Sequence, residues 1–358
     1  MVWQGVYGHD DVVEQFRRAL GRGRLGSSFL LVGPEGIGKR RFALGLARAL
    51  LCRCRPEEAL EPCGQCPACT QVTALTHPDL ELVSKPADKS FLPLELLIGD
   101  TEHRMRRGLC HRLAMKPMMG GRKVAIVDDA DYLNAEGANC LLKTLEEPPP
   151  RSVLMLLGTS AAKQLPTIRS RCQIVRFRPL EADAVERILI EQALVGDAIQ
   201  ARRLAGRCGG SVRRAMELAD PEWWTFRDLL LDHLKAPVLD AGRLAAAAMA
   251  LVDQAGKDTS ARRRRMRQVI GSAAEFYRLL VRRLSGSEPA EAKELSRWIE
   301  PAAGAWRCDA ATAAACAERC LDALEHVDRN ANPTTLVESW LDGLAEMATP
   351  LRPARGAP

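Results

Sequence analysis

An α/β fold built on a parallel sheet, followed by a helical second half, is predicted by three features of the sequence. Five short apolar runs lie before residue 178, helical stretches alternate with them, and no strand pattern recurs beyond Pro179. Strands that are apolar throughout and alternate with helices read as a parallel sheet covered on both faces.

The first run, residues 27–33 (SSFLLVG), ends in glycine, and residues 39–52 (KRRFALGLARALLC) carry alanine and leucine at helical spacing. A strand, a glycine-rich loop and a helix therefore follow one another. Further strands are expected at 80–84 (LELVS), 123–129 (KVAIVDD), 153–160 (VLMLLGTS) and 173–177 (QIVRF), with a helix over 137–147 (GANCLLKTLEE). Residues 181–194, 198–208 and 211–219 read as three short helices. From about Asp220 the chain stays helical, with apolar residues three and four apart in 228–236, 242–255, 267–284 and 310–329. The tail 349–358 (TPLRPARGAP) is expected to fray. Three domains follow: α/β over 1–178, small and helical over 179–220, helical over 221–358.

A chain of 358 residues can bury two or three cores, and 47% hydrophobic with 27% charged residues is ordinary for a folded protein. No apolar run approaches the roughly 18 to 20 residues that cross a bilayer. The start, MVWQGVYGHDD, has acidic residues where a signal peptide has its apolar core, so a cytoplasmic location is expected. The net charge of +6 tolerates a nucleic-acid partner without demonstrating one. A charge run such as 261–267 (ARRRRMR) is ordinarily a solvated helix face, and that reading is adopted over phosphate contact.

Gly33, Gly36 and Gly38 with Lys39 match G-x-x-x-x-G-K, in which glycines let backbone amides turn around phosphate and lysine neutralises the outer phosphates. The next position, ordinarily serine or threonine holding magnesium, is Arg40, which cannot coordinate a cation. The strand VAIV ends in Asp128, placed to assist magnesium, and Asp129, placed where hydrolytic relatives of the motif carry glutamate to polarise water. Aspartate is one methylene shorter, and a base must come within about 3 Å of its proton, so hydrolysis should suffer. Asp131 reads equally well as a helix N-cap.

Five of the twelve cysteines, Cys52, Cys54, Cys63, Cys66 and Cys69, fall in LLCRCRPEEALEPCGQCPACTQ. With no secretion signal, a disulfide scaffold is disfavoured. The three in CGQCPAC can converge on one tetrahedral zinc, with a fourth thiolate from Cys52, which follows the helix directly, or from Cys54. Such a site would be structural, folding a loop too polar to bury its own core. Cys110, Cys140, Cys172, Cys208, Cys308, Cys316 and Cys320 read as core or bystander residues, and His77 as a turn or packing residue.

Together these elements resemble the clamp-loader subunits of the AAA+ family, and among them the delta-prime type of bacterial DNA polymerase III. The resemblance runs to about Asp220 and rests on GPEGIGKR, CGQCPAC followed by THPDL, VAIVDDAD, NCLLKTLEEPP and LPTIRSRCQIVRF. It implies a AAA+ P-loop domain with a zinc insert at 52–69, then a helical lid, then a C-terminal collar for oligomerisation. Arg171, in SRC, corresponds to an arginine finger acting in trans on a neighbouring subunit's nucleotide site. Thr159 or Ser160 corresponds to the polar residue of sensor 1, and Arg213, in GSVRRA, to that of sensor 2. The implied cofactors are structural Zn2+ and ATP that is bound weakly or not hydrolysed, because Arg40 and Asp129 depart from the hydrolysing members while the finger is kept. The implied partners are gamma/tau-type ATPase subunits and a delta subunit, in a ring that places the sliding clamp on primer–template DNA. An active gamma/tau-like ATPase and a zinc-dependent nucleic-acid-binding module compete with this reading; Arg40 opposes the first, and 4% aromatic residues give the second little support.

Overall fold

Five strands, β1 (Ser28–Val32), β2 (Leu80–Val83), β3 (Lys123–Val127), β4 (Ser152–Gly158) and β5 (Gln173–Arg176), pair in parallel in the order β2-β3-β4-β1-β5. The computed structural model describes residues 3–348 apart from 88, 90, 105, 120, 237, 288–294, 306–308 and 330. Cys308 and the tail 349–358 lie outside these residues.

Side chains alternate strictly between two cores, as a sheet buried on both faces requires. Phe29 and Leu31 of β1, and Val124 and Ile126 of β3, face one core; Leu30, Val32, Ala125 and Val127 face the other. The first core is closed by α1 (Asp10–Gly21) and α2 (Lys39–Leu51), the second by α4 (Leu94–Ile98), α5 (Gly108–Ala114), α6 (Ala135–Glu146) and α7 (Pro166–Arg169), with α3 (Pro67–Thr73) set in the insert between them in sequence. The three short helices expected after Pro179 are α8 (Ala182–Glu191), α9 (Ala198–Ala205) and α10 (Val212–Ala219), and they share the first core through Val185, Leu189, Leu204 and Ala215.

Contacts divide the chain into two units, Met1–Ala219 and Asp220–Pro358. The second unit is helical in its described residues: α11 (Pro221–Leu234), α12 (Ala241–Asp253), α13 (Thr259–Leu284), α14 (Ser296–Ala305), α15 (Ala310–Asp328) and α16 (Pro333–Ala348). Its core holds Phe276, Tyr277 and Trp340. Aspartates start four of these helices as N-caps, Asp220, Asp240, Asp258 and Asp309, each accepting an amide proton of the first turn. The basic run belongs to α13, and within it Arg262, Arg265 and Arg267 pair with Asp253, Asp220 and Asp328 of the same unit.

Helices α4, α5 and α7, of five, seven and four residues, were not anticipated by periodicity, since none is long enough to display it. Among the described residues no helix is long and apolar enough to cross a membrane.

Phe42 of α2 is fully buried, with its ring centroid 5.4 Å from Trp3, 5.2 Å from Phe16 and 5.2 Å from Phe177. It ties the N-terminus, α1 and the end of β5 to the helix that follows the glycine loop. Phe42→Ala is expected to destabilise the first unit by about 3–5 kcal/mol, read as a lowered urea midpoint in the transition reported by Trp3 fluorescence.

Candidate nucleotide site and metal centre

The carboxyl ends of β1, β3 and β4 are adjacent, and the register sets Val32 opposite Gly158 and Val127 opposite Leu156. Gly33, Asp128 and Thr159 therefore leave the sheet along one edge, the edge at which open α/β sheets take ligands. The loop needs its glycines: Gly36 has φ 75°, and a Cβ there would lie 2.5 Å from both the Ser211 Oγ and the Arg213 Cβ. That close approach exists because the loop carries α10, with the Val212 amide donating to the Gly36 carbonyl at 3.0 Å and the Ser211 Oγ donating to the Glu35 carbonyl at 2.7 Å. Arg213 so placed pairs loosely with Glu35 at 3.7 Å.

Lys39 curls over its own loop, its Nζ donating to the Gly33 carbonyl at 2.6 Å and the Pro34 carbonyl at 2.7 Å, and burial lowers its pKa. Arg40 reaches across to β3, where its Nη1 donates to the Asp128 Oδ2 at 3.2 Å. Asp129 has a left-handed backbone, φ 59°, and burial followed by the charge of Asp128 pushes its carboxyl above the usual range.

Asp131 does not cap a helix; Asn134 does, its Oδ1 accepting from the Gly137 amide at 2.8 Å. Asp131 instead accepts from the Thr159 amide and the Gln164 Nε2, both at 2.8 Å, and from the Thr159 hydroxyl. The hydroxyl of Thr159 is thus given to the ends of β3 and β4, and Ser160 starts the next turn, its Oγ accepting from the Ala162 amide at 3.2 Å. His9, not among the residues singled out in the sequence, lies under the loop with its Nε2 2.7 Å from the Ile37 carbonyl, and burial lowers its pKa.

Arg171 is at the opposite end of the sheet. It precedes β5, whose Gln173 pairs with Phe29 at the start of β1, whereas the glycine loop follows Val32. Its guanidinium is held by the Glu146 Oε1, at 2.8 Å from Nε and 2.6 Å from Nη2, while Nη1 donates to the Thr167 carbonyl at 3.0 Å and the Ser170 Oγ at 3.1 Å. A strand's length separates it from its own loop.

In the insert, the sulfurs of Cys52, Cys63, Cys66 and Cys69 all lie within 4.8 Å of one another, and Cys63 and Cys69 are 3.9 Å apart. Thiolates around one tetrahedral zinc, each about 2.3 Å from it, stand roughly 3.8 Å apart, so the cluster could hold a metal ion of that kind. Backbone amides point at the sulfurs as they would at thiolates: Cys63 N to Cys52 at 3.4 Å, Cys66 N to Cys63 at 3.3 Å, and Cys69 N to Cys66 at 3.5 Å. Burial opposes ionisation of Cys66, yet the amides of Arg53 and Cys69 outweigh it and bring that thiol down to about 6, while burial pushes Cys69 up to about 12. All four are free thiols. Cys54 is exposed beside Cys63 and is not one of the four.

Apart from these sulfurs the insert's own apolar cluster adds only Ala68, and its Leu60 is buried in the first core instead. The insert is pinned outward by the Trp3 Nε1 donating to the Leu60 carbonyl at 2.8 Å and by Arg122 gripping both oxygens of Glu57. His77 is a turn residue, its Nδ1 accepting from the Asp79 amide at 3.0 Å. Among the described cysteines outside the cluster, Cys110, Cys172, Cys208, Cys316 and Cys320 are buried and Cys140 is half-buried.

The family described as DNA polymerase III, delta subunit, matches residues 8–181. The chain is 35% identical over 199 residues to the DNA polymerase III subunit delta' of Pseudomonas aeruginosa, covering 55% of this chain and 57% of that one. It is 31% identical over 208 residues to the delta' subunit of Bacillus subtilis, covering 58% of each. To the gamma/tau subunit of Mycobacterium bovis it is 30% identical over 255 residues, 70% of this chain and 41% of that one. The chain thus spans a little over half the length of the delta' subunits that it matches. A DNA polymerase III gamma-subunit-related protein of Thermotoga maritima aligns with 94% of this chain and 99% of its own at 16% identity, with a TM-score of 0.36, too low to add to the fold described above. In sequence the chain resembles the delta-prime subunits of bacterial DNA polymerase III, and the match to the delta-subunit family lies in residues 8–181.

Proposed function

We propose that the chain is a delta-prime-type subunit of a DNA polymerase III clamp loader that completes a neighbour's nucleotide site and does not turn over nucleotide at its own. The observation that carries this reading is the Arg40–Asp128 pair: the guanidinium stands on the carboxylate that a hydrolysing site gives to magnesium. The shorter side chain of Asp129 and the engaged hydroxyl of Thr159 point the same way. Arg171, at the amino ends of the strands, is out of reach of its own loop and suits a neighbour's. There it would stabilise the charge that develops on transferring phosphate.

On this reading residues 179–220 are the lid and 221–358 the collar, through which the chain joins gamma/tau-type ATPase subunits and a delta subunit in the cytoplasm. The assembly would load the sliding clamp on primed DNA. The gamma/tau likeness covers more of the chain than the delta' likeness does, which favours an ATPase subunit as second reading. Measurable ATP turnover by the isolated chain would decide for it.

In a reconstituted loader, Arg171→Ala is expected to leave assembly intact on gel filtration and to slow the site that it completes by roughly 10³-fold or more, lowering total ATPase by that site's share. Unchanged ATPase overturns the assignment. Cys52, Cys63, Cys66 and Cys69 are the residues that would hold zinc, in a structural role. Metal analysis is then expected to return about one zinc per chain, lost together with the order of the insert in Cys63→Ser/Cys66→Ser; a metal-free chain with an intact insert would rule the site out.

A further inference from the structure

Magnesium in a phosphate loop neutralises the outer phosphates and ties them to oxygens of the protein. Here the hydroxyl is missing, and the two carboxylates Asp128 and Asp131 are already engaged. The residue after Lys39 is Arg40 instead of a hydroxyl side chain, and Asp128 accepts from Arg40. Asp131 is satisfied by Thr159 and Gln164. A divalent cation demands several oxygen ligands, and at this edge of the sheet it would have to compete with Arg40 for Asp128 and with Thr159 and Gln164 for Asp131.

The phosphate-binding parts, by contrast, are complete. The glycines hold the loop open for backbone amides, Lys39 stands at the amino end of the 13-residue α2, and Arg40 rises from the same turn. A guanidinium presents five N–H donors in a rigid fork, and Asp128 takes only one of them, from Nη1. The remaining edge can meet a phosphate oxygen while the pair is kept. The Arg40 side chain is 48% exposed, so a ligand can reach it, whereas that of Asp128 is 20% exposed and remains behind it. The guanidinium can therefore do both of the metal's jobs: it carries positive charge and it bridges phosphate to the β3 carboxylate.

We propose that this loop binds a nucleoside di- or triphosphate without any divalent cation, Arg40 serving in the cation's place. The proposal rests on reading the loop as a non-hydrolysing nucleotide site, and does not depend on the assembly in which the chain works.

The purified full chain is titrated with fluorescent ADP and ATP analogues, once in millimolar magnesium and once in EDTA. The two Kd values are expected to agree within about twofold. Arg40→Ser, checked for folding by its melting curve, is expected to weaken binding in EDTA by roughly tenfold, the worth of one charge-assisted hydrogen bond, and to recover when magnesium is supplied. Lys39→Ala is expected to abolish binding in both buffers. A wild-type chain that needs magnesium, or an Arg40→Ser chain as indifferent to magnesium as the wild type, overturns the proposal. So does binding that survives Lys39→Ala. No binding in either buffer also overturns it, and would mean that the ion pair closes the loop; the clamp-loader reading would then still stand or fall separately on the ATPase of the Arg171→Ala assembly.

Discussion

Parallel pairing of β1 with β4 on one side and β5 on the other is the constraint from which the rest of the first unit follows. Parallel neighbours need a crossover between strands, and crossovers cover both faces, so the central strands β1, β3 and β4 are buried throughout and polar chemistry gathers at their ends. The two ends then acquire different contents. The carboxyl ends collect the glycine loop, Asp128 and Thr159, while the amino end of β5 receives Arg171. A single sheet thereby gives the molecule two chemically distinct poles, and an assembly of such chains can set one pole against the other.

At the carboxyl pole the polar groups satisfy one another. Lys39 closes on carbonyls of its own loop, Arg40 on Asp128, and Asp131 on Thr159 and Gln164. Buried or half-buried polar groups must find partners, and where a metal, a water or a phosphate would provide them in a hydrolysing site, protein side chains do so here. At the other pole the same holds for Arg171, whose fork is occupied by Glu146.

Buried parallel strands were legible because they are continuous apolar runs, and all five expected strands are present within two residues of their expected ends. Helices α2, α6, α8 to α13 and α15 were legible from their period, α1 and α16 went unread although both are long enough to show one, and α4 and α7 owe their existence to packing against the sheet. At the site, identity was readable and partnership was not. Arg40 announces itself in sequence, but the carboxylate it meets is 88 positions away, and Glu146 is 25 positions from Arg171. Asp131 and Asn134 both have capping side chains within one short stretch; what separates them is that Asp131 finds Thr159, on another strand, and Asn134 finds only its own helix. The position directly after the helix favoured Cys52 over Cys54 without deciding between them, and Cys52, ending α2 in extended backbone, is the one whose sulfur lies with the other three.

Helix α2 has the glycine loop at one end and Cys52 at the other, with no proline or break in its 13 residues. An unbroken helix of that length is a rod about 20 Å long, stiff on the scale of side-chain motion. Its first turn is clamped by Phe42 and the aromatic rings around it. The phosphate-facing loop and the first cysteine of the insert are thus the two ends of one rod that is packed along its length against the first core.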